Sequence, residues 1–355
     1  MLTAHAIGSP DLGGAERFFA RLTGTLAARG HPTVAVLRHG AELGGLMEPG
    51  VEVLETGMRN GIDVFTWWDI RRLIVDRRPR VIQTYLGRAS RLARVPRGSD
   101  TVHVARLGGY YRPNAYRHAD VWVGNTRGIR DYLVELGFPS DRVHHITNFV
   151  ETVEGAEARP GGPRDRSGTP VPDDALLVFG LGRFVGKKGF GDLLEAFARL
   201  PASVGDRPVH LAVAGDGPRR EELEATAARL DLVDRVHWPG WLNDPDPWFR
   251  AADLFVCPSR HEPLGNVVLE GWSHALPVVS TRTAGPAELV AEGEDGVLTE
   301  IQDPGSLAAA LRRLLEDEGE RERLARAGLE TVRRRHSPEV VVDAYLDLYG
   351  RATRR

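Results

Sequence analysis

The stretch Gly182-Arg183-Phe184-Val185-Gly186-Lys187-Lys188-Gly189 follows an apolar run from Ala175 to Leu181 and precedes Phe190, Leu193, Leu194 and Phe197. The run reads as a buried strand, and the spacing after it as a helix with one apolar stripe. A glycine-rich strand-to-helix turn aims backbone N–H groups and the positive end of a helix dipole at whatever lies above it. This one also carries the chain's only two lysines, the other 44 of its 46 basic residues being arginine. A chain that uses Arg wherever a positive charge suffices keeps Lys where a compact ammonium is needed. The turn is therefore read as a phosphate site.

Working outward, strand-like and helical segments alternate in both halves, which is the pattern of parallel sheets with helices on both faces. Strands are predicted at Leu2–Ile7, Thr33–Leu37, Val51–Leu54, Arg80–Thr84, Thr101–Arg106, Val121–Gly124 and Val143–Thr147, then at Leu176–Leu181, Val209–Ala214, Val236–Trp238, Leu254–Cys257, Pro277–Ser280 and Val297–Leu298. A first helix should begin after Gly13-Gly14 and bury Phe18, Phe19, Leu22 and Leu26. The expected fold is α/β, with two Rossmann-like doubly wound domains facing each other across a cleft at their carboxyl strand ends. Residues 1–150 form the first domain, 151–174 a Pro/Gly-rich linker, 175–335 the second domain and 336–355 a terminal helix. Val341, Ala344, Tyr345 and Leu348 give that helix one apolar stripe, which either returns to the first domain or packs within the second.

The formal charge of −3 hides an asymmetry. Residues 1–150 hold 20 arginines against 14 acids, a net +6, so the first half is the one suited to an anionic partner. The single cysteine, Cys257, ends an apolar strand and reads as a small buried hydrophobe. Without a disulfide framework, signal peptide or spanning segment, the expectation is a cytoplasmic protein, at most peripheral on the inner face of the plasma membrane.

A second cluster is Ser259-Arg260-His261-Glu262-Pro263-Leu264-Gly265-Asn266-Val267-Val268-Leu269-Glu270. It sets one glutamate in the loop after a strand and another about one turn into the next helix. An ionised carboxylate accepts two donors from a vicinal diol, so such a pair suits sugar hydroxyls. A lone Glu270 would read as an exposed helix residue; beside an Arg–Lys turn it reads as part of a site.

These motifs, with Val213-Ala214-Gly215-Asp216-Gly217-Pro218, Gly240-Trp241-Leu242-Asn243-Asp244 and Leu12-Gly13-Gly14-Ala15-Glu16-Arg17, make the chain resemble the retaining glycosyltransferases of family 4, with the GT-B fold, over nearly its whole length. The resemblance implies transfer of a sugar from a UDP- or GDP-sugar donor to a glycolipid or polysaccharide precursor of the cell surface, such as lipopolysaccharide core. It implies that Arg183 and Lys188 grip the diphosphate, Glu270 takes the ribose hydroxyls and Glu262 the transferred sugar. Leu264, Gly265 and Asn266 would offer main-chain donors, Leu242 and Asp244 would border the base, and Gly13, Gly14, Gly182 and Gly215 would let backbone approach the donor. The resemblance implies neither cofactor nor metal, since the GT-B pattern typically needs no metal, and no protein nucleophile, because the leaving phosphate itself helps to take the acceptor's proton.

On the acceptor side, Arg88, Arg91 and Arg94 read either as a solvated basic face or as contacts to an anionic membrane or acidic glycolipid. Trp67-Trp68 reads as a buried pair before an interfacial anchor. Relatives carry a His before a Gly after the strand Thr101–Arg106; here His103 lies inside that strand, so Arg106 is placed ahead of it as a cleft residue. Asp244-Pro245-Asp246 imitates a metal-binding acid pair but is read as a turn. Gly180-Leu181-Gly182 with Gly186 misses the dinucleotide fingerprint by one residue, which disfavours an NAD(P)-dependent oxidoreductase. A sugar-nucleotide 2-epimerase on the same fold is the other alternative. Nucleic acid is not expected, since no matching motif accompanies the charge.

Overall fold

The structure, a computed structural model, describes residues 1–156 and 164–354. The glycine- and proline-rich centre of the predicted linker, Glu157 to Pro163, lies outside the described residues, as does Arg355. The chain divides into two compact units: Met1–Phe149 with Pro338–Arg355, and Val150–Ser337.

In unit 1 the elements run β1 (Thr3–Ile7), α1 (Gly14–Ala28), β2 (Thr33–Arg38), β3 (Val51–Thr56), α2 (Val64–Arg77), β4 (Val81–Tyr85), α3 (Leu86–Leu92), β5 (Val102–Leu107), β6 (Val121–Gly124), α4 (Arg127–Glu135) and β7 (Val143–His145). All seven strands are parallel, in the order β3-β2-β1-β4-β5-β6-β7. Such strands are buried on both faces, and β1, β4 and β5 are buried at every position, their polar side chains included. The chain winds outward from β1 to β3, then returns to build β4 to β7 on the other side. The order reverses between β1 and β4.

Unit 2 repeats this plan with β8 (Leu176–Leu181), α5 (Phe190–Phe197), β9 (Ser203–Val204), β10 (Arg207–Ala214), α6 (Arg220–Arg229), β11 (Val236–Gly240), α7 (Asp246–Ala251), β12 (Leu254–Cys257), α8 (Asn266–Ser273), β13 (Val278–Thr281), α9 (Ala284–Leu289), β14 (Val297–Thr299), α10 (Pro304–Glu316) and α11 (Glu318–Arg335). Its parallel path is β11-β10-β8-β12-β13-β14, and short β9 pairs antiparallel with β10. Here the reversal falls between β8 and β12, where Leu254 and Phe255 pair with Val178 and Phe179. Crevices outside the carboxyl ends of strands at such reversals are the usual ligand sites of this architecture.

Sequence periodicity missed β9 and the ends of several strands. β11 runs on to Gly240, past Pro239, through a register shift against β10 between Ala212 and Ala214. Around the undescribed segment, Val150, Val171 and Ala175 join the unit 2 core, and Ala156 packs with Ala275 and Leu329.

The last helix, α12 (Pro338–Ala352), belongs to unit 1. Val341, Val342, Tyr345, Leu348 and Tyr349 enter the cluster built on Phe18, Phe19, Leu22 and Tyr85. Each side chain so buried contributes about 1.5–3 kcal/mol relative to exposure. The Tyr349 hydroxyl donates to Gln83 Oε1 at 2.7 Å, and Arg80 Nη2 to Thr353 O at 2.7 Å. Polar pairing thereby fixes how the stripe seats.

Candidate functional site

At the reversal in unit 2, the loop after β8 and the loop after β12 rise side by side. The first makes a single 3-10 turn, Gly186–Lys188, and passes through Gly189 at φ 70° into α5. A Cβ at Gly189 would lie 1.9 Å from Pro258 O, so the position needs glycine both for its left-handed backbone and for the other loop's closeness. Gly215, after β10 at φ 139°, approaches Gly182 O in the same way.

Three interactions bind the loops together. Arg260 N and His261 N donate to Lys187 O at 2.8 and 3.2 Å. The Arg260 guanidinium grips Asp192, in the first turn of α5, through both oxygens at 2.6 and 2.7 Å. Lys188 Nζ donates to Glu262 Oε2 at 2.5 Å, and the Ser259 hydroxyl reaches the same oxygen at 3.3 Å. The floor is closed from the next strand and the helix after it, where Thr281 Oγ1 donates to Ser259 O and Gly285 N to Glu262 O at 2.9 Å.

The electrostatics follow from this packing. Burial alone would depress the Lys188 ammonium, but Glu262, with Glu270 adding, outweighs it and holds the pKa above the usual lysine value. Lys188 is thus a cation at every working pH. Burial pushes the Cys257 thiol up, and its sulfur lies 3.7 Å from Ser259 Oγ, so it is a packed, inert thiol. Arg183 and Lys187 are exposed. Neither forms an ion pair among the described residues.

Glu270 sits half-buried on α8, one turn beyond Asn266, and Leu264 and Gly265 are buried at its entry. Gly182, Gly215, Lys188, Glu262, Leu264 and Gly265 therefore stand at the carboxyl ends of β8, β10 and β12 or in the turns that follow, and Asn266 and Glu270 in the first turns of α8. Leu242 packs half-buried against the core beneath them, and Asp244, exposed, accepts from Asp246 N at 3.0 Å. Asp246 itself pairs with His274 Nε2 at 2.7 Å and with Arg250, as a helix-start residue held by its neighbours.

Unit 1 revises the acceptor-side expectations. Arg88 Nη1 donates to Gly8 O at 2.7 Å and Met58 O at 3.1 Å, making it a strut across the sheet reversal where a free surface cation was expected. Arg106, placed by sequence at a cleft-facing end, is only 2% exposed. Its guanidinium lies 4.1 Å over Phe18 and donates to the Tyr345 hydroxyl at 3.1 Å and to Asn148 Oδ1. It is a buried tie to α12, and no pattern within β5 signals a partner on so distant a helix. His103 Nε2 meets Thr84 Oγ1 at 2.9 Å and its ring lies beside His118; burial, with His118 and Arg94, lowers its pKa to about 3. Arg91 and Arg94 are exposed, and Gly13 is the extended cap residue before α1, which begins at Gly14.

Arg260, Asp192, Ser259 and Thr281 escaped the sequence reading. Their signal was weak: Asp192 looked like an ordinary acid in a helix's first turn, and Arg260 was one arginine among many.

Two doubly wound α/β units of this kind make up the GT-B architecture. The model of the glycosyl transferases group 1 matches residues 163–331, and that of glycosyltransferase family 4 matches residues 12–154. The chain is 37% identical over 339 residues to LpsE, a lipopolysaccharide core biosynthesis glycosyltransferase of Rhizobium meliloti strain 1021, covering 95% of each. It is 36% identical to LpsD of the same strain, which carries the same description, over 96% of this chain and 95% of the relative. In fold it is similar to Anabaena HepE, solved with UDP and glucose, with a TM-score of 0.79 at 19% identity over 99% of this chain and all of that one. The chain belongs to the family 4 glycosyltransferases of GT-B fold.

Proposed function

We propose that the protein transfers a sugar, with retention of anomeric configuration, from a nucleoside diphosphate sugar to lipopolysaccharide core or a related glycolipid or polysaccharide precursor. The acceptor reading is supported by its likeness to LpsE and LpsD over 95% of their length. The observation that carries the donor reading is the Lys188–Glu262 pair, held at 2.5 Å at the reversal of the unit 2 sheet.

In this reading the bond between the sugar's anomeric carbon and the diphosphate oxygen breaks, and negative charge develops on the departing phosphate. Lys188 and Arg183 receive that charge, and Lys188, fixed by Glu262 before the reaction, lowers the barrier without reorganising. The acceptor hydroxyl attacks on the face the diphosphate leaves and passes its proton to the leaving phosphate. Neither a protein nucleophile nor a metal is called on. Glu270 takes the ribose hydroxyls, and Glu262, beside Lys188, is placed for the sugar's own. The base is uracil or guanine, with Leu242 and Asp244 bordering it. Among the described residues no helix is long and apolar enough to cross a membrane, and the proposed location is the cytoplasmic face of one.

A thermal-shift screen of UDP- and GDP-sugars tests the donor, since a ligand at 100 times its dissociation constant stabilises by about 2.7 kcal/mol. NMR of the product on a truncated lipopolysaccharide acceptor then reports the anomeric configuration, with a chelator present throughout. Stabilisation by no nucleotide-sugar, an inverted linkage, or loss of transfer with chelator would each remove the corresponding part of the reading.

A further inference from the structure

The loop after β3 and the start of α2 expose four large apolar side chains in succession: Ile62 81%, Val64 63%, Phe65 81% and Trp68 61%. Scattered exposed apolar residues are ordinary, but a contiguous set of this size marks a contact surface. The segment is also built to hold them out. The Asp63 carboxylate accepts from Thr66 N at 3.2 Å and Arg59 N at 3.0 Å, and Thr66 Oγ1 accepts from Met58 N at 2.7 Å. Asn60 Oδ1 accepts from Ile62 N at 2.9 Å, and the Arg88 strut clamps Met58 O. A loop tied at both ends by its own side chains does not fold its apolar tips inward. Beneath them, Ile70, Leu73 and Ile74 fill the buried face of α2, so no place remains in unit 1 for the outer row.

Cations surround the row. Residues 59–78 contain five arginines against three aspartates. Arg71 stands 5.6 Å over the Trp67 ring, and Arg91 packs against Gly61, whose Cβ would lie 2.9 Å from its Nη1. Aromatic and branched apolar tips ringed by arginine match one partner chemistry, the interface of an anionic bilayer, where rings enter the headgroup level and guanidinium groups meet phosphates.

We propose that the β3–α2 loop and the first turns of α2 form an interfacial membrane-docking element, with Ile62, Val64, Phe65 and Trp68 entering the bilayer and Arg59, Arg71, Arg72 and Arg91 engaging acidic headgroups. It keeps Arg91 of the basic face read from sequence, leaves out Arg88, whose guanidinium is tied to Gly8 O and Met58 O, and corrects the expectation of a buried Trp67-Trp68 pair, since Trp68 is exposed. It rests on the reading of a lipid-borne acceptor for its purpose, because the element leaves the carboxyl edge of the unit 1 sheet, the edge on which that fold presents its ligands.

The test is flotation of the full-length protein with vesicles of phosphatidylcholine, with and without phosphatidylglycerol. The protein should float with the acidic vesicles, less so as salt shortens the screening length to about 8 Å and below. Phe65→Ser with Trp68→Ser should lower the bound fraction by about tenfold or more, and Phe65→Leu with Trp68→Tyr should restore it. Both positions are exposed, so the serine variant should melt with the parent and bind nucleoside diphosphate as the parent does. No flotation of the parent at low salt, or equal flotation of the serine variant, overturns the proposal. A dimeric parent made monomeric by the same changes, without flotation, assigns the face to a second copy and also overturns it. A parent that floats but transfers no sugar defeats the acceptor reading alone, and one that transfers without floating defeats the docking element alone.

Discussion

Lys188 and Glu262 are 74 positions apart in sequence and share a 2.5 Å ion pair, because the strands that precede them, β8 and β12, are hydrogen-bonded neighbours. An ammonium has three donors, and one is spent on Glu262. The pair fixes the direction in which the remaining donors point, so the lysine is oriented before any phosphate arrives. It also leaves Glu262 one oxygen for a sugar hydroxyl. The exposed Arg183 and Lys187 have no such restraint.

Lys188→Ala should therefore lower turnover by about a hundredfold or more, the scale of losing one fixed donor to a developing charge. Lys187→Ala, at an exposed neighbour whose backbone carbonyl makes the structural bonds, should change turnover only slightly. Steady-state kinetics with saturating acceptor decides it. Equal losses in both variants would dissolve the distinction.

Glu270→Ala should weaken binding of free nucleoside diphosphate, whereas Glu262→Ala should preserve it and cut transfer. The reason is position: Glu270 is a turn into α8, and Glu262 is in the loop beside Lys188. Calorimetry with the diphosphate alone is the measurement, and undiminished binding by the Glu270 variant refutes the role given to it.

How much of this was legible in the sequence follows the range of each signal. Strand alternation, the glycine turn and the order of motifs are local, so the two doubly wound units and the Gly182–Gly189 loop could be read directly. Pairings that depend on which elements become neighbours could not: Arg260 with Asp192 and Lys188 with Glu262 through adjacent strands, Arg106 with Tyr345 through the docking of α12. Arg88 shows the same limit from the other side. As a letter it is indistinguishable from Arg91, yet one guanidinium spans two loops and the other faces solvent. Trp68 was misread because a tryptophan doublet resembles core, and only the placement of Ile70, Leu73 and Ile74 shows that the core side of α2 is already full.

Gly189→Ala should be one of the most damaging small changes in unit 2. Its added carbon would meet Pro258 O at 1.9 Å, and the backbone there is left-handed at φ 70°. Overpacking costs about 1–3 kcal/mol and left-handed strain adds roughly 1 kcal/mol, so a loss of at least about 2 kcal/mol is expected. Gly191→Ala, inside α5 where nothing lies within 4 Å, is the control two residues on. Chemical denaturation with a probe in unit 2 should separate the two variants, and equal midpoints would show that the loops yield.

The buried histidines of unit 1 should set its acid limit. His103 is enclosed, with Thr84 Oγ1 on Nε2, the His118 ring alongside, Arg94 adding repulsion, and Asp120 accepting from its backbone N–H. Its pKa falls from 6.5 to about 3, and burial does the same to His5. Between those values the unfolded chain binds a proton that the native one refuses, so stability rises with pH across the window. Each such histidine can contribute up to about 1.4 kcal/mol per pH unit. The contribution is complete above the unfolded pKa and is lost as pH falls toward the folded one. His103→Gln can keep a hydrogen bond to Thr84 without taking the proton, so it should flatten the pH dependence of unit 1 stability by about one proton between roughly pH 6 and 4. Hydrogen exchange of β4 and β5 amides across that range reports unit 1 alone. An unchanged slope in the variant, or an NMR titration of the native His103 ring near its ordinary pKa, would show that the ring already takes up its proton in the folded state.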